Sequence, residues 1–458
     1  MAVDVHAIDG KLPAPDERFD VVVVGAGAAG TAAAIDAARA GASVLLIDEN
    51  PVSGALIGSD VPLFYGGRMT TAVQQPARML EQIFAANPAL EAAFDAGVDV
   101  RLATTAWGLY VNGPAMRALP EPMLGIADAE RASMIGFGKL ILATGARDLV
   151  LGFAALLTRY DALAGRRVLI LGSGALALES ALLAAARGIE VAGIVEIADA
   201  PQGPADLVER VAATGIPFHL GYTIGSAAGG IDGADRIVLS PMDLQDEDVT
   251  IACDTIVLAI GALPATELID AAGVTPGDRI TLIGDCATTI RPPDNHIEAW
   301  AAALGRHAAP DTIVCQCEEV TRADLIGVQP PHYLDRPTKM AARSLTTLIE
   351  DGAAHPDQIK RLTRAGMGQC QGRRCREQVA CLLAQEQQVP LRSVPVASYR
   401  APVRPVPLGI LADWRESAEM AAGWDVWFGI PTQWTPYDVI GTPAEAEHAA
   451  GLGGNMHV

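Results

Sequence analysis

Two short glycine turns, each set between an apolar strand run and an alanine-rich helix run, constrain this chain more than any other feature. The first is Gly25-Ala26-Gly27-Ala28-Ala29-Gly30, after Phe19-Asp20-Val21-Val22-Val23-Val24 and before a helix expected over Thr31–Ala40. A second apolar run, Ser43 to Ile47, ends at Asp48-Glu49. Strand, glycine turn, helix, strand and acid in this order make a βαβ dinucleotide unit. Gly25 makes the tight turn, Gly27 admits a pyrophosphate to the backbone, and Gly30 lets helix and strand pack closely. Ala28 and Ala29 complete the turn as candidate cofactor-binding residues, and the free N–H groups at the helix N-terminus favour phosphate. Asp48, 18 residues after Gly30, lies where an acid can accept from a ribose hydroxyl, with Glu49 beside it.

The pattern then restarts. Arg167 to Leu171 reads as a strand, Gly172-Ser173-Gly174-Ala175-Leu176-Ala177 as the turn, Leu176–Arg187 as the helix, and Ile189 to Glu196 as the next strand. Alanine replaces the third glycine, which the fingerprint tolerates. Glu196 is the candidate ribose acid, and an acid there disfavours a 2′-phosphate. NAD or an adenine nucleotide is therefore the candidate ligand of Gly172, Gly174 and Glu196. The other reading is a duplicated domain that keeps its fold without a working site.

Composition removes several function classes. Asp+Glu number 54 against 33 Lys+Arg, a net charge of −21. That argues against nucleic acid or an anionic membrane as partner. No apolar run reaches the roughly 18 residues of a membrane helix, and no secretory leader is evident, so the expectation is a cytoplasmic protein, membrane-peripheral at most through a partner. Seven cysteines in 458 residues are not a disulfide framework. Four of them form two close pairs, Cys315-Gln-Cys317 and Cys370-Gln-Gly-Arg-Arg-Cys375. Four thiolates so placed can hold zinc or an iron–sulfur cluster, or stay free or form disulfides. Cys286 and Cys381 read as buried core residues. No histidine forms an acid–base motif, and no catalytic residue is assigned.

Between and after the turns stand Ala143-Thr144-Gly145 and Ile283-Gly284-Asp285. In this order the motifs resemble the glutathione-reductase-like flavoproteins with two dinucleotide domains, over residues 19–309. The resemblance implies FAD at the first site, with Thr144, Gly145, Gly284 and Asp285 around it. The disulfide chemistry of that family does not carry over, because no cysteine precedes Cys253. Residues around the cysteine pairs, from Cys317-Glu318-Glu319-Val320-Thr321 to Thr363-Arg364-Ala365-Gly366, are similar to the bacterioferritin-associated-ferredoxin type of domain. That implies a [2Fe-2S] cluster on Cys315, Cys317, Cys370 and Cys375, its charge partly offset by Arg364, Arg373 and Arg374.

The whole arrangement, over about residues 19–410, resembles the α subunits of heteromeric amine dehydrogenases and oxidases. These are the opine oxidases, the proline and D-hydroxyproline dehydrogenases and the related hydrogen cyanide synthase. The resemblance implies an FAD-dependent oxidoreductase subunit in a hetero-oligomer. A flavin-containing β subunit of amine oxidoreductase type would oxidise the substrate, with room for a small γ subunit. Two other functions fit the same motifs: a stand-alone NAD(P)H-dependent flavin reductase, and an assembly subunit whose cofactors are structural.

The expected fold is α/β. Two Rossmann-like dinucleotide-binding domains, the second inserted in the first, precede a small, mainly helical [2Fe-2S] domain and an irregular tail. The boundaries are 1–18 lead-in, 19–150 with 265–309 for FAD, 151–264 for the second nucleotide, 310–389 for the cluster and 390–458 for a Pro- and Trp-rich extension. Relatives of this kind carry a longer segment after Asp148. They carry a shorter one between the cysteine pairs, where residues 327–343 read as an inserted loop.

Overall fold

The computed structural model describes residues 13–51, 76–113, 119–147, 157, 165–230, 233–243, 245–261, 263–287, 294–329, 343–368, 370–373, 375–412 and 442–444. Most of the inserted loop, the segment after Arg147 and the four C-terminal tryptophans (Trp414, Trp424, Trp427, Trp434) lie outside these residues.

The β-branched run forms β1, Glu17–Val24, which starts two residues inside the expected lead-in. Helix α1 (Ala28–Arg39), which starts three residues before the expected Thr31, and β2 (Val44–Ile47) follow. The apolar stretch from Met79 to Phe94, which by sequence reads as one helix, forms two, α2 (Pro76–Ala86) and α3 (Ala89–Asp95). Pro88 is the reason: it lacks an N–H and stands at the N-cap of α3. Next come β3 (Asp99–Arg101), β4 (Thr105–Tyr110), β5 (Met123–Ala127), β6 (Ala132–Leu142) and the short β7 (Ala146–Arg147).

The second unit holds β8 (Arg167–Leu171), α4 (Ala175–Ala186), β9 (Glu190–Glu196), α5 (Ala205–Ala213), β10 (Phe218–Leu220), β11 (Tyr222–Gly230), β12 (Gly233–Pro241), β13 (Val249–Ala252) and β14 (Thr255–Leu258). Then β15 (Leu263–Pro264), α6 (Glu267–Ala272) and β16 (Ile280–Leu282) lead back to the first sheet, followed by α7 (Asp294–Gly305).

That first sheet has seven strands among the described residues, in the order β3-β2-β1-β6-β5-β4, with β16 on β6. Strands β1, β2, β3, β6 and β16 run parallel, while β4 and β5 are antiparallel. A parallel sheet is buried on both faces, so its strands must be apolar throughout. Val22, Val23, Leu45, Leu46, Leu140 and Leu142 accordingly have no solvent exposure, and each such side chain contributes about 1.5–3 kcal/mol. The second sheet is wholly parallel, β10-β9-β8-β14, and β11-β12-β13 form a separate antiparallel one.

The last module is mainly helical. A hairpin of β17 (Ile313–Cys315) and β18 (Val320–Thr321) precedes α8 (Arg322–Ile326), α9 (Leu345–Asp351), α10 (Pro356–Thr363) and α11 (Arg376–Gln387). They enclose Val320, Leu325, Leu345, Ile359, Val379 and Leu383. Beyond a 3-10 turn at Leu391–Ser393, the proline-rich stretch runs without helix or strand until α12 (Leu408–Ala412). No helix among the described residues is long and apolar enough to cross a membrane.

Candidate functional site

Strand register decides which residues meet. Val24 pairs with Ile47 and with Leu142, and Leu142 pairs with Leu282. Four parallel strands therefore end level, and the segments following them share one edge of the sheet. They are the Gly25 turn, Asp48-Glu49, Ala143-Thr144-Gly145 and Ile283-Gly284-Asp285. Carboxyl ends of parallel strands are where α/β sheets bind ligands.

The glycine turn has little room for anything else. Gly25 has φ +106°, and a Cβ there would lie 2.2 Å from the Ala143 carbonyl oxygen. A Cβ on Gly30 would lie 1.9 Å from the Gly25 oxygen. Gly27 differs: nothing stands within 4 Å of its would-be Cβ. Gly27 is also the N-cap of α1 and offers no side-chain cap, so the first N–H groups of the helix face this open space. Ala28 and Ala29 are exposed there. Gly284, at φ +66°, sits against Ala29, with its would-be Cβ 3.1 Å from the Ala29 Cβ. Asp285 is exposed in the same 3-10 turn. An anionic diphosphate fits this cradle.

The other predicted residues hold the edge together. The Thr144 hydroxyl donates to the Ala265 carbonyl at 2.6 Å, and the Ala265 N–H donates to Gly145 O at 3.0 Å. These bonds fasten the returning chain to the end of β6. Asp48 turns inward. Its Oδ2 accepts from Ala26 N–H at 2.7 Å, and its Oδ1 accepts from the backbone and side-chain amides of Asn50, both at 2.8 Å. Sequence reasoning missed Asn50 and also Asn87. The Asn87 side-chain amide donates to Ala26 O at 2.8 Å and to Thr31 Oγ1 at 3.0 Å, propping the turn from the break between α2 and α3. Pro88, next to it, was the available signal.

The second turn repeats the geometry. Leu171 pairs with Val195 and with Leu258, so Gly172, Glu196 and Ala259 share an edge. Gly172 has φ +97°, and its would-be Cβ lies 2.4 Å from Ala259 O. Gly174 caps α4 and has nothing within 4 Å. Glu196, however, is fully buried. Its Oε2 accepts from the Ser173 N–H and hydroxyl, and its Oε1 from Ala198 N–H at 3.2 Å. The Ser173 hydroxyl also accepts from Gln202 N–H at 2.9 Å, which draws the loop after β9 over the turn.

The four cysteines of the two pairs come together crosswise. Cys315 is hydrogen-bonded with Cys375, and Cys317 with Cys370. The Cys375 thiol donates to Cys315 and pulls that thiol below its usual value. Cys375 is held up by the same bond and by burial, and Cys317 is raised by its bond with Cys370 and by burial. The Gly366 N–H also donates to Cys315 Sγ at 3.4 Å. Among the described residues the sulfurs stand in these two pairs, and no three His, Cys, Asp or Glu side chains surround one metal-sized point. The donor set still suits a thiolate-bound cluster: four sulfurs, a backbone N–H aimed at one of them, and no carboxylate among the ligands.

Of the arginines expected to offset the cluster's charge, two are described. Arg364 pairs with Glu318 at 2.7 Å, and Arg373 donates to Cys370 O at 3.1 Å, while Arg374 lies outside the described residues. The buried cation beside the cysteines is Arg376, 4% exposed, with its guanidinium 3.6 Å from the Tyr399 ring centroid. Cys286 is buried, as expected. Cys381, on α11, is half-buried, and burial raises its thiol to about 11.

Comparison with known proteins agrees with this geometry. An opine oxidase subunit of Agrobacterium tumefaciens (strain Ach5) is 25% identical, over 86% of this chain and 91% of its own. The alpha chain of sarcosine oxidase from Rhizobium meliloti (strain 1021) is 27% identical over 86% of this chain, which spans only 42% of that longer protein. The crystal structure of L-proline dehydrogenase from P. horikoshii superposes with a TM-score of 0.51 at 17% identity, over 86% of this chain and 80% of that one. It supports the fold. Residues 331–414 match the sarcosine oxidase A3 domain. Residues 19–305, which contain both glycine turns and the level strand ends around them, match the pyridine nucleotide-disulphide oxidoreductase family, and the chain belongs to that family.

Proposed function

We propose that this chain is the electron-transfer subunit of a heteromeric enzyme that oxidises an amino acid or opine-type amine. One observation carries the reading. A dinucleotide core with an open first turn is joined, in a single chain, to a helical module that gathers Cys315, Cys317, Cys370 and Cys375. The relatives named as oxidase subunits run parallel to most of this chain. The proposed domains are residues 19–150 with 265–309, 151–264 and 310–389.

When bound, FAD exchanges two electrons and a [2Fe-2S] cluster exchanges one, so together they link a two-electron donor to a one-electron acceptor. FAD would lie along Gly25, Gly27, Ala28, Ala29 and Gly30, with Asp285 and Glu49 at either side, and the cluster on the four cysteines. The chain's own residues position these groups and keep Cys315, Cys370 and Cys375 from solvent, and none of the described residues is assigned as a substrate base. Amine oxidation is therefore assigned to a partner protein with its own flavin.

The test is anaerobic purification with and without any co-purifying subunit, followed by absorbance and EPR spectra. Flavin bleaching by proline, hydroxyproline, sarcosine or an opine only in the partner's presence supports the reading. Bleaching of the isolated chain by NADH overturns it in favour of a stand-alone reductase, which the open Gly174 turn would serve.

A further inference from the structure

The segment after α11 crosses from the cysteine module to the first nucleotide site. At its start, Ser398 donates to Asp357 of α10 through N–H (2.9 Å) and hydroxyl (2.8 Å). Tyr399 lies under the Arg376 guanidinium. Tyr399 and Val403 then enter the core of the seven-stranded sheet beside Leu109 and Ile126. Val403 N–H donates to Trp107 O of β4 at 2.8 Å. At its end, Arg404 Nε meets Glu49 Oε2 at 2.8 Å, an ion pair between residues 355 positions apart. The Arg404 side chain is 15% exposed and that of Glu49 36%.

Glu49 is the second acid at this strand end, beside Asp48. Asp48 has both oxygens engaged by its own turn, whereas Glu49 stands next along and is held from outside by a cation. We propose that Arg404 is a positioning residue of the first nucleotide site. It fixes the Glu49 carboxylate for the adenosine ribose of FAD, so that FAD retention depends on the 397–404 strap, and with it the cysteine module, being docked. This rests on the FAD reading of the first turn. A half-buried charge-assisted pair is strong enough to matter, and linkage makes the effect reciprocal: FAD must in turn hold the strap down.

The experiment uses the full-length chain, stripped of flavin and titrated with FAD while fluorescence is followed. R404A and E49Q should each weaken FAD binding about tenfold, the double variant no more than either alone, and R404K less than R404A. In wild type, added FAD should slow proteolytic cleavage within residues 388–404, and in R404A it should not. Unchanged FAD affinity in R404A, or additive losses in the double variant, would overturn the proposal. Equal melting temperatures of the flavin-free wild type and R404A exclude a folding defect as the cause of weaker binding; a drop there that accounts for the whole FAD loss overturns it. Failure of the wild type to bind FAD at all overturns the reading of the first turn instead.

Discussion

The Glu196 carboxylate takes both donors of Ser173, the N–H at 3.1 Å and the hydroxyl at 2.7 Å, and neither residue reaches solvent. Asp48 does the same with the N–H of Ala26, at the equivalent point of the first turn. In both units the acid at the strand end closes the glycine turn from inside. At the second turn, therefore, the acid expected to read a ribose is part of the fold.

Replacing Glu196 with alanine should cost stability, because it leaves the buried Ser173 donors without an acceptor. About 2 kcal/mol is expected from the loss of a buried acceptor, read by urea unfolding with and without NAD. Unchanged stability combined with loss of NAD binding would return Glu196 to the ribose.

Two of the three glycines of the first turn should separate folding from binding. Gly30→Val meets the Gly25 carbonyl and should give little folded protein. Gly27→Val points into open space, so far-UV circular dichroism should stay native while the flavin-to-protein ratio falls at least about tenfold. Flavin retained in the Gly27 variant would place the diphosphate elsewhere.

The first sheet was legible where it is parallel and apolar, and illegible where it turns antiparallel. Val21–Val24, Leu140–Leu142 and Ile280–Leu282 stand out as buried runs. Strands β4 and β5 do not, because close cross-strand packing puts glycine where a β-former would be expected. A Cβ on Gly125 of β5 would lie 2.6 Å from the Trp107 ring on the facing β4. Such contacts join residues far apart in sequence and leave no local period. The site divides in the same way. The glycines and cysteines carry a signal in their spacing, whereas Asn87, Arg376 and Arg404 act through neighbours between 23 and 355 positions away.

The cysteine assignment predicts about two irons and two labile sulfides per chain after anaerobic purification. Serine at any one of Cys315, Cys317, Cys370 or Cys375 should remove most of both, while Cys381→Ser should leave them unchanged. One zinc and no sulfide in the wild type would replace the cluster with a metal ion.

At the edge of the first sheet, Arg101 grips Glu17 at 2.6 Å and holds its carboxyl below the usual range. A lowered pKa stabilises the fold above the unfolded value, near 4.5, and that contribution disappears as pH falls through the folded one. Glu17→Gln should therefore be less stable than wild type at pH 7, by up to about 1 kcal/mol for so exposed a pair. The two should converge in acid. A difference that persists below pH 3, in thermal melts, would assign the effect to packing.

The crossed sulfur pairs also set a timetable. Cys315 and Cys317 leave the ribosome with no partner thiol yet made, and Cys370 and Cys375 follow about sixty residues later, several seconds at ordinary rates of synthesis. Until that stretch has been made and has folded back, this module presents two exposed thiols instead of a four-sulfur site. Under the proposed cluster assignment, metal or sulfide arriving early would meet an incomplete receptor, so loading would follow synthesis of the module and report that its two halves have met.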